Sequence, residues 1–168
     1  MNATSTVSTD HLSTYLNDHL AGSVAALELI EHLAENYPDT TLESFFADLH
    51  AEITADQDVL RDLLRTFDAK ESSVRKAGAW IVEKLAQVKL GLSENEVRGT
   101  GLLEALEGLA LGITAKQLLW RALASASEVL PQLAGLDYQH LEDRARGQRE
   151  RVEEKRLAAA REAFKPHS

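Results

Sequence analysis

Apolar residues recur at alternating steps of four and three along most of the chain, which is the spacing of one face of an amphipathic α-helix. The first stripe predicts a helix from after Ser8-Thr9-Asp10 to about Glu35. Its positions are Leu12, Leu16, His19, Ser23, Ala26, Ile30 and Leu33. A second stripe follows the break at Asn36-Tyr37-Pro38-Asp39, with Thr40 or Thr41 as the predicted helix cap. Its positions are Phe46, Leu49, Ile53, Asp56, Leu60, Leu63 and Phe67.

Three more helices are predicted after residue 70. Residues 73–90 carry a stripe of Val74, Ala77, Ile81, Leu85 and Val88. A helix from Gly101 to about Ala126 has leucines on nearly every face, which predicts that several neighbours surround it. The last helix runs from about Tyr138 to Phe164, and its predicted seam is Leu141, Ala145, Gln148, Val152, Ala159 and Ala163. No segment shows the alternation of a β-strand.

The lengths of the connections predict how these helices are arranged. A turn of about five residues makes the first two helices an antiparallel pair, and a second pair follows residue 100. We therefore predict an all-α fold, a four-helix bundle in which a helical crossover joins two antiparallel pairs, the connectivity of ferritin-like proteins. A five-helix up-down array is the alternative. Residues 1–9 are expected to form a flexible tail, and residues 10–165 a single domain.

Composition narrows the classes of function. Twenty-seven acidic residues against 18 lysines and arginines give a net charge of −9, which disfavours binding to nucleic acid or to anionic lipid. No apolar run approaches the roughly 20 residues that span a bilayer. The first residues lack the basic and then apolar order of a secretory signal, so we expect a cytoplasmic location. The absence of cysteine excludes disulfides and thiolate ligands.

Two polar residues, His19 and Asp56, occupy seam positions that should face the core. The register of the first hairpin predicts that they contact each other, with Ser23 and Glu52 close by. One interpretation is a hydrogen-bonded layer that fixes the register of the helices. Another is a metal site for iron, manganese or zinc formed by His19, Glu52 and Asp56, with Glu107 as a further ligand. A third is that one or both seam residues are simply exposed.

Further polar seam residues bear on the same layer. If the second pair runs in the ferritin-like sense, Gln117 and Gln148 are expected at the depth of His19 and Asp56. A structural layer needs no cofactor, and we expect none unless the metal interpretation holds.

Two segments of the first pair resemble a known family. Tyr15-Leu16-Asn17-Asp18 and Glu52-Ile53-Thr54-Ala55-Asp56-Gln57 are similar to bacterial ferritin-like proteins of the YciE/YciF kind, and the resemblance covers residues 12–67. Diiron members of the ferritin-like group place a Glu on one helix of each pair and Glu-x-x-His on the other. Carried over, the first glutamate falls at Ser23, and Glu52-x-x-Ala55 replaces Glu-x-x-His. The resemblance therefore implies the fold without the diiron ligands.

The chain contains none of the motifs G-x-x-x-x-G-K-[ST], H-E-x-x-H or G-x-S-x-G, so an enzymatic function is not expected. We expect a non-catalytic bundle that forms a homo-oligomer or binds a helical protein partner through exposed leucines of the Leu102–Leu123 region. One alternative is a divergent metal-binding protein that uses the four ligands named above. Another is a small-molecule binder with an apolar slot between the bundle and residues 73–90.

Overall fold

A computed structural model of the chain describes residues 3–67 and 100–166. These residues form four α-helices, a short 3₁₀ helix and no strand. The α-helices are α1 (Ala3–Asn36), α2 (Thr41–Thr66), α3 (Gly101–Ala126) and α4 (Tyr138–Ala163), and the 3₁₀ helix is Pro131–Leu133. The predicted all-α class is confirmed for this part of the chain. The helix predicted over residues 73–90 lies outside the described residues.

Helices α2, α3 and α4 begin at the predicted residues, whereas α1 begins earlier than predicted. It starts at Ala3, so residues 3–9 of the predicted tail are helical. The prediction of a start after Ser8-Thr9-Asp10 was wrong because residues of these types also occur inside helices, at a small cost in propensity. No glycine or proline stands between Ala3 and Asp10 to stop the helix.

The turn between α1 and α2 is fixed by hydrogen bonds from its own residues. Thr40 is the N-cap of α2: its hydroxyl accepts from the Leu42 amide at 3.2 Å and donates to the Tyr37 carbonyl at 2.7 Å. The Asp39 amide donates to the Glu43 carboxylate at 2.7 Å. Asp39 has a φ of 57°, a conformation that aspartate tolerates better than most residues. The tight turn makes α1 and α2 antiparallel neighbours.

The connection between α3 and α4 is equally well defined. Gly135 has a φ of 113°, which a residue without Cβ adopts at little cost. Asp137 caps α4 by accepting from the His140 amide at 2.9 Å. The Tyr138 hydroxyl donates to the Leu133 carbonyl at 2.8 Å, and the Leu133 side chain is buried. The connection therefore packs against the end of the core.

The order of contacts along the helices gives their directions. In the first pair, Gln57 donates to the Ser23 hydroxyl at 2.9 Å, and His50 lies 3.0 Å from Glu31. From one contact to the next, the residue number increases along α2 while it decreases along α1, so this pair is antiparallel. The second pair is antiparallel by the same test, as shown by Glu142, which accepts from Arg121 at 2.7 Å, and Glu107, which accepts from Arg156 at 3.2 Å.

Helix α2 also faces α4, and this contact relates the two pairs. Arg151 donates to Glu52 at 2.6 Å, and the Lys155 ammonium lies 5.7 Å from the centre of the Phe45 ring. Thus α2 runs antiparallel to α4 and parallel to α3. The end of α2 and the start of α3 therefore lie at opposite ends of the bundle, about 39 Å apart for a 26-residue helix. Both the predicted crossover and the five-helix array satisfy this geometry, since they differ only in residues 68–99.

The buried core lies largely along the predicted stripes. Every predicted seam position of α2 from Phe46 to Leu63 is buried. In α1, Leu16, Ile30 and Leu33 of the predicted stripe are buried, together with four residues outside it: Leu20, Ala21, Ala25 and Leu29. Helix α3 contacts α1 and α4, in line with the prediction of several neighbours, and Leu111 and Leu118 on its outer side are exposed.

Candidate functional site

A layer of polar side chains crosses the middle of the bundle, with Asp56 at its centre. The Asp56 residue is 1% exposed. Its carboxylate is ion-paired with Lys116 of α3 and Arg144 of α4. Gln148 of α4 donates to Asp56 at 3.3 Å and accepts from Lys116. A buried carboxylate is costly unless it is paired and hydrogen-bonded, and these three partners meet that requirement.

The Lys116 ammonium is also taken out of water, since its side chain is 11% exposed. Burial lowers the pKa of Lys116, while the charge of Asp56 and its hydrogen bond oppose that shift. Arg144 lowers this pKa further and Glu52 raises it. The carboxylate of Asp56 therefore favours the charged form of Lys116.

The layer extends to the surface through two further ion pairs. Arg151 binds Glu52 at 2.6 Å, and Arg121 donates to Glu142 at 2.7 Å. Glu142 also accepts from Gln117 at 3.2 Å. The hydrogen bond from Arg121 is the main reason why the pKa of Glu142 lies below its usual value. All four helices are linked at this depth, because Ser23 of α1 accepts from Gln57 of α2.

Three of the four residues that the sequence offered as metal ligands are bonded to cationic side chains in the structure. Asp56 is buried as predicted, but the predicted contact with His19 was wrong: its partners are cations and an amide from the second pair. Glu52 faces Arg151, and the half-exposed Glu107 binds Arg156 on the outside of the bundle. Among the described residues, no group of three or more His, Asp or Glu side chains is placed to share a metal ion. The metal site stays a prediction without support from this geometry.

Lys116 and Arg144, the two cations paired with Asp56, are members of the layer that sequence reasoning missed. Lys116 is the only lysine of α3 and lies among apolar residues, which was a signal that it could have a buried acidic partner. Arg144 gave no comparable signal, because it belongs to a helix with many charges of both signs. Gln148, predicted at this depth, is fully buried and joins the layer.

A cavity of about 230 Å³ lies between α1 and α3, next to the polar layer. Its walls combine small residues with large apolar ones, and its polar lining comes from Asp18, His19, Ser23 and Lys116. The remaining lining residues are Gly22, Ala26, Ile53, Leu109, Gly112, Ile113 and Ala115. The space exists because glycine and alanine lie where two helices face each other. The cavity is thus a mainly apolar space with a lysine at its wall.

His19 lines this cavity and is partly buried. Its ring contacts Tyr15 edge to face, with 4.8 Å between the ring centres. Burial lowers the pKa of His19, and the charge of Asp18 only partly opposes the shift. The imidazole is therefore neutral at neutral pH, where it presents one N–H donor and one acceptor nitrogen.

We expect His19 to make the protein less stable in mild acid. Because its pKa is lower in the folded chain than the value of about 6.5 in the unfolded chain, the unfolded state binds more protons below that pH. The free energy of unfolding should fall as the pH drops from 6.5 through the folded pKa. Urea unfolding at pH 8 and pH 5 measures this loss, which should be smaller in His19→Asn. The exposed His140→Asn serves as the control, and an unchanged loss in His19→Asn would contradict the assignment.

The outer face of α3, defined by Leu111, Ala115, Leu118 and Ala122, is exposed, and its Ala115 also borders the cavity. Leu111 is 55% exposed and Leu118 is 56% exposed. The two leucines are one heptad apart and so lie on the same side of the helix. Acidic residues flank the face towards the start of α3, and Arg121 flanks it towards the end.

No family model, curated protein or solved structure matches the chain. Within residues 3–67 and 100–166, no helix is long and apolar enough to cross a membrane. The features that bear on function are therefore the polar layer, the cavity and the outer face of α3.

Proposed function

We propose that this chain is a non-catalytic, ferritin-like helical bundle that associates with a second copy of itself through the outer face of α3. The observation that carries this proposal is the exposure of Leu111 and Leu118, each by more than half, one heptad apart. This is the spacing of a seam between two packed helices. Their burial on association would stabilise a dimer by the hydrophobic effect.

The directions of the helices support a ferritin-like arrangement. Each helix is antiparallel to its contacting neighbours, while α2 and α3 run parallel. This order is expected when a long connection joins two hairpins. In such a bundle α3 keeps one side free of the other three helices, and that side is the outer face.

Charge and symmetry favour a second copy as the partner. In an antiparallel pair of α3 helices, Leu111 of each copy would meet Leu118 of the other, as a two-fold interface requires. Ala115 lies between them and allows the backbones to approach. The same pairing places Glu107 of one copy at the level of Arg121 of the other, and both side chains are about half exposed. Opposite charges then lie on both sides of the apolar contact.

The metal-binding alternative has less support from the geometry. Both carboxylate oxygens of Asp56 are bonded to cationic side chains, so a metal ion would have to displace Lys116 and Arg144. Glu107 lies outside the bundle against Arg156. Metal analysis of protein purified from supplemented medium tests this alternative directly.

Leu118→Glu is expected to convert the dimer into a monomer. A buried leucine contributes about 1.5–3 kcal/mol, and two-fold symmetry makes each substitution count twice, so the dissociation constant should rise at least about 100-fold. Sedimentation velocity over a concentration series measures this change. Leu111→Glu should act in the same direction, because the two leucines meet across the interface.

Leu157→Glu is the matched control, because Leu157 is an exposed leucine on α4, outside the outer face of α3. This variant should dimerise like the parent chain. A wild-type protein that stays monomeric at high concentration would overturn the proposal. Equal weakening by Leu157→Glu would show that added charge, rather than the outer face, is responsible.

A further inference from the structure

The cavity between α1 and α3 borders a cation with unused hydrogen-bonding capacity. A lysine ammonium has three N–H donors. Two donors of Lys116 are directed to Asp56 and Gln148, and Lys116 also lines the cavity. The remaining donor is available to a molecule in that space.

The charges around Lys116 favour an anion. At the centre of the layer, the single carboxylate of Asp56 faces two cations, Lys116 and Arg144. The neighbouring carboxylate, Glu52, is already matched by Arg151. One positive charge is therefore left without a negative partner in a largely buried position, and an added carboxylate would balance it.

Two other residues with polar side chains, His19 and Asp18, line the cavity. The His19 ring contacts Tyr15 edge to face and has no hydrogen bond to another residue in the described parts of the chain, so its N–H can bind a ligand oxygen. Asp18 also lines the cavity, but its residue is exposed and its negative charge is screened by water. The strongest attraction for a ligand head group is therefore to Lys116.

The rest of the cavity suits the hydrocarbon part of a ligand. Ala26, Ile53, Leu109 and Ile113 provide hydrocarbon walls, and glycines at 22 and 112 leave the width between the helices. An apolar cavity of about 150 Å³ accepts benzene. The larger volume of about 230 Å³ suits a ligand of roughly ten non-hydrogen atoms.

We propose that this cavity binds a medium-chain monocarboxylate, with the carboxylate at Lys116 and His19 and the alkyl chain between α1 and α3. Octanoate has the right size and one charge. The neutral octanamide has the same chain and nearly the same head-group shape, but it lacks the charge that would balance the layer.

Isothermal titration calorimetry of the full chain with sodium octanoate tests this assignment, with octanamide as the uncharged comparison. Octanoate should bind with one site per chain, and octanamide should bind at least about 10-fold more weakly. Equal binding of the two molecules would overturn the role of Lys116. The absence of any heat from octanoate up to millimolar concentration would overturn the site itself.

A substitution that fills the cavity provides the second test. A Cβ at Gly112 would meet no atom within 4 Å, so Gly112→Leu can extend into the space without moving the backbone. This variant should lose at least about 10-fold in octanoate affinity while keeping its helical content. Gly147→Leu is the matched control: its Cβ also meets open space, but it lies on α4 away from the cavity. Unchanged binding by Gly112→Leu, or equal loss in Gly147→Leu, would contradict the proposal.

Discussion

Replacing Asp56 with alanine is expected to lower the free energy of unfolding by about 3–5 kcal/mol, because it leaves two buried cations without their carboxylate. The side chains of Lys116 and Arg144 are 11% and 25% exposed, so water cannot fully take the place of Asp56. Total stabilities of single domains are about 5–15 kcal/mol. The variant should therefore be close to unfolded in mild urea, which circular dichroism at increasing urea concentration measures.

Asp58→Ala is the control for this experiment, since it removes an aspartate two residues away on the exposed side of α2. Asp58 is paired with Arg61 on the surface of the same helix. Exposed pairs of this kind contribute about 0–1 kcal/mol, so the change in stability should be small. Equal stability of Asp56→Ala and Asp58→Ala would show that the polar layer is open to water rather than buried.

A triple variant separates pairing from burial. The triple variant Asp56→Leu, Lys116→Met and Arg144→Met removes all three charges, so no unpaired ion is left. Such replacements of buried ion networks are often neutral or stabilising. We expect the triple variant to recover most of the stability that Asp56→Ala loses, and the non-additivity measures the coupling within the layer.

The sequence predicts the helices well because their signals are local. Helix α3 runs from Gly101 to Ala126, as its flanking residues and leucine content indicate. The cap at Thr40 and the ending near Asn36 follow from residue types within one turn of each boundary. The start of α1 is missed because serine, threonine and aspartate occur both as caps and inside helices.

The burial of Asp56 and Gln148 could also be predicted, because each occupies an otherwise apolar seam. The residues that form hydrogen bonds and ion pairs with them could not be predicted. Register within a hairpin follows from the position of its turn, but register between the two pairs depends on contacts far apart in sequence. Lysine and arginine also carry long apolar stems, so their residue type does not reveal how deeply they lie. For this reason the sequence predicted His19 as the partner of Asp56, whereas the structure pairs Asp56 with Lys116 and Arg144.

The cavity and the outer face of α3 depend on which helices are neighbours. Gly22 and Gly112 create space only because α1 packs against α3, whereas the sequence predicted a slot beside residues 73–90, which lie outside the described residues. Similarly, leucines on nearly every face of α3 predicted several neighbours without showing which leucines would stay exposed. In the structure Leu111 and Leu118 are exposed. The periodicity of apolar residues alone cannot distinguish a buried side of a helix from an exposed apolar side.

Replacing Phe46 with alanine is expected to cost about 3–5 kcal/mol of unfolding free energy, because its fully buried ring fills the core beneath the α1–α2 turn. Phe164→Ala provides a control with the same chemical change at a position that is 69% exposed, where the cost should stay within about 0.5 kcal/mol. Urea unfolding of both variants, at a concentration low enough to keep the chain monomeric, compares them directly. The difference tests the packing of the bundle independently of the polar layer, because Phe46 makes no ion pair. If both substitutions cost the same, the first hairpin cannot pack as described, and the register that brings Asp56 to Lys116 would be wrong as well.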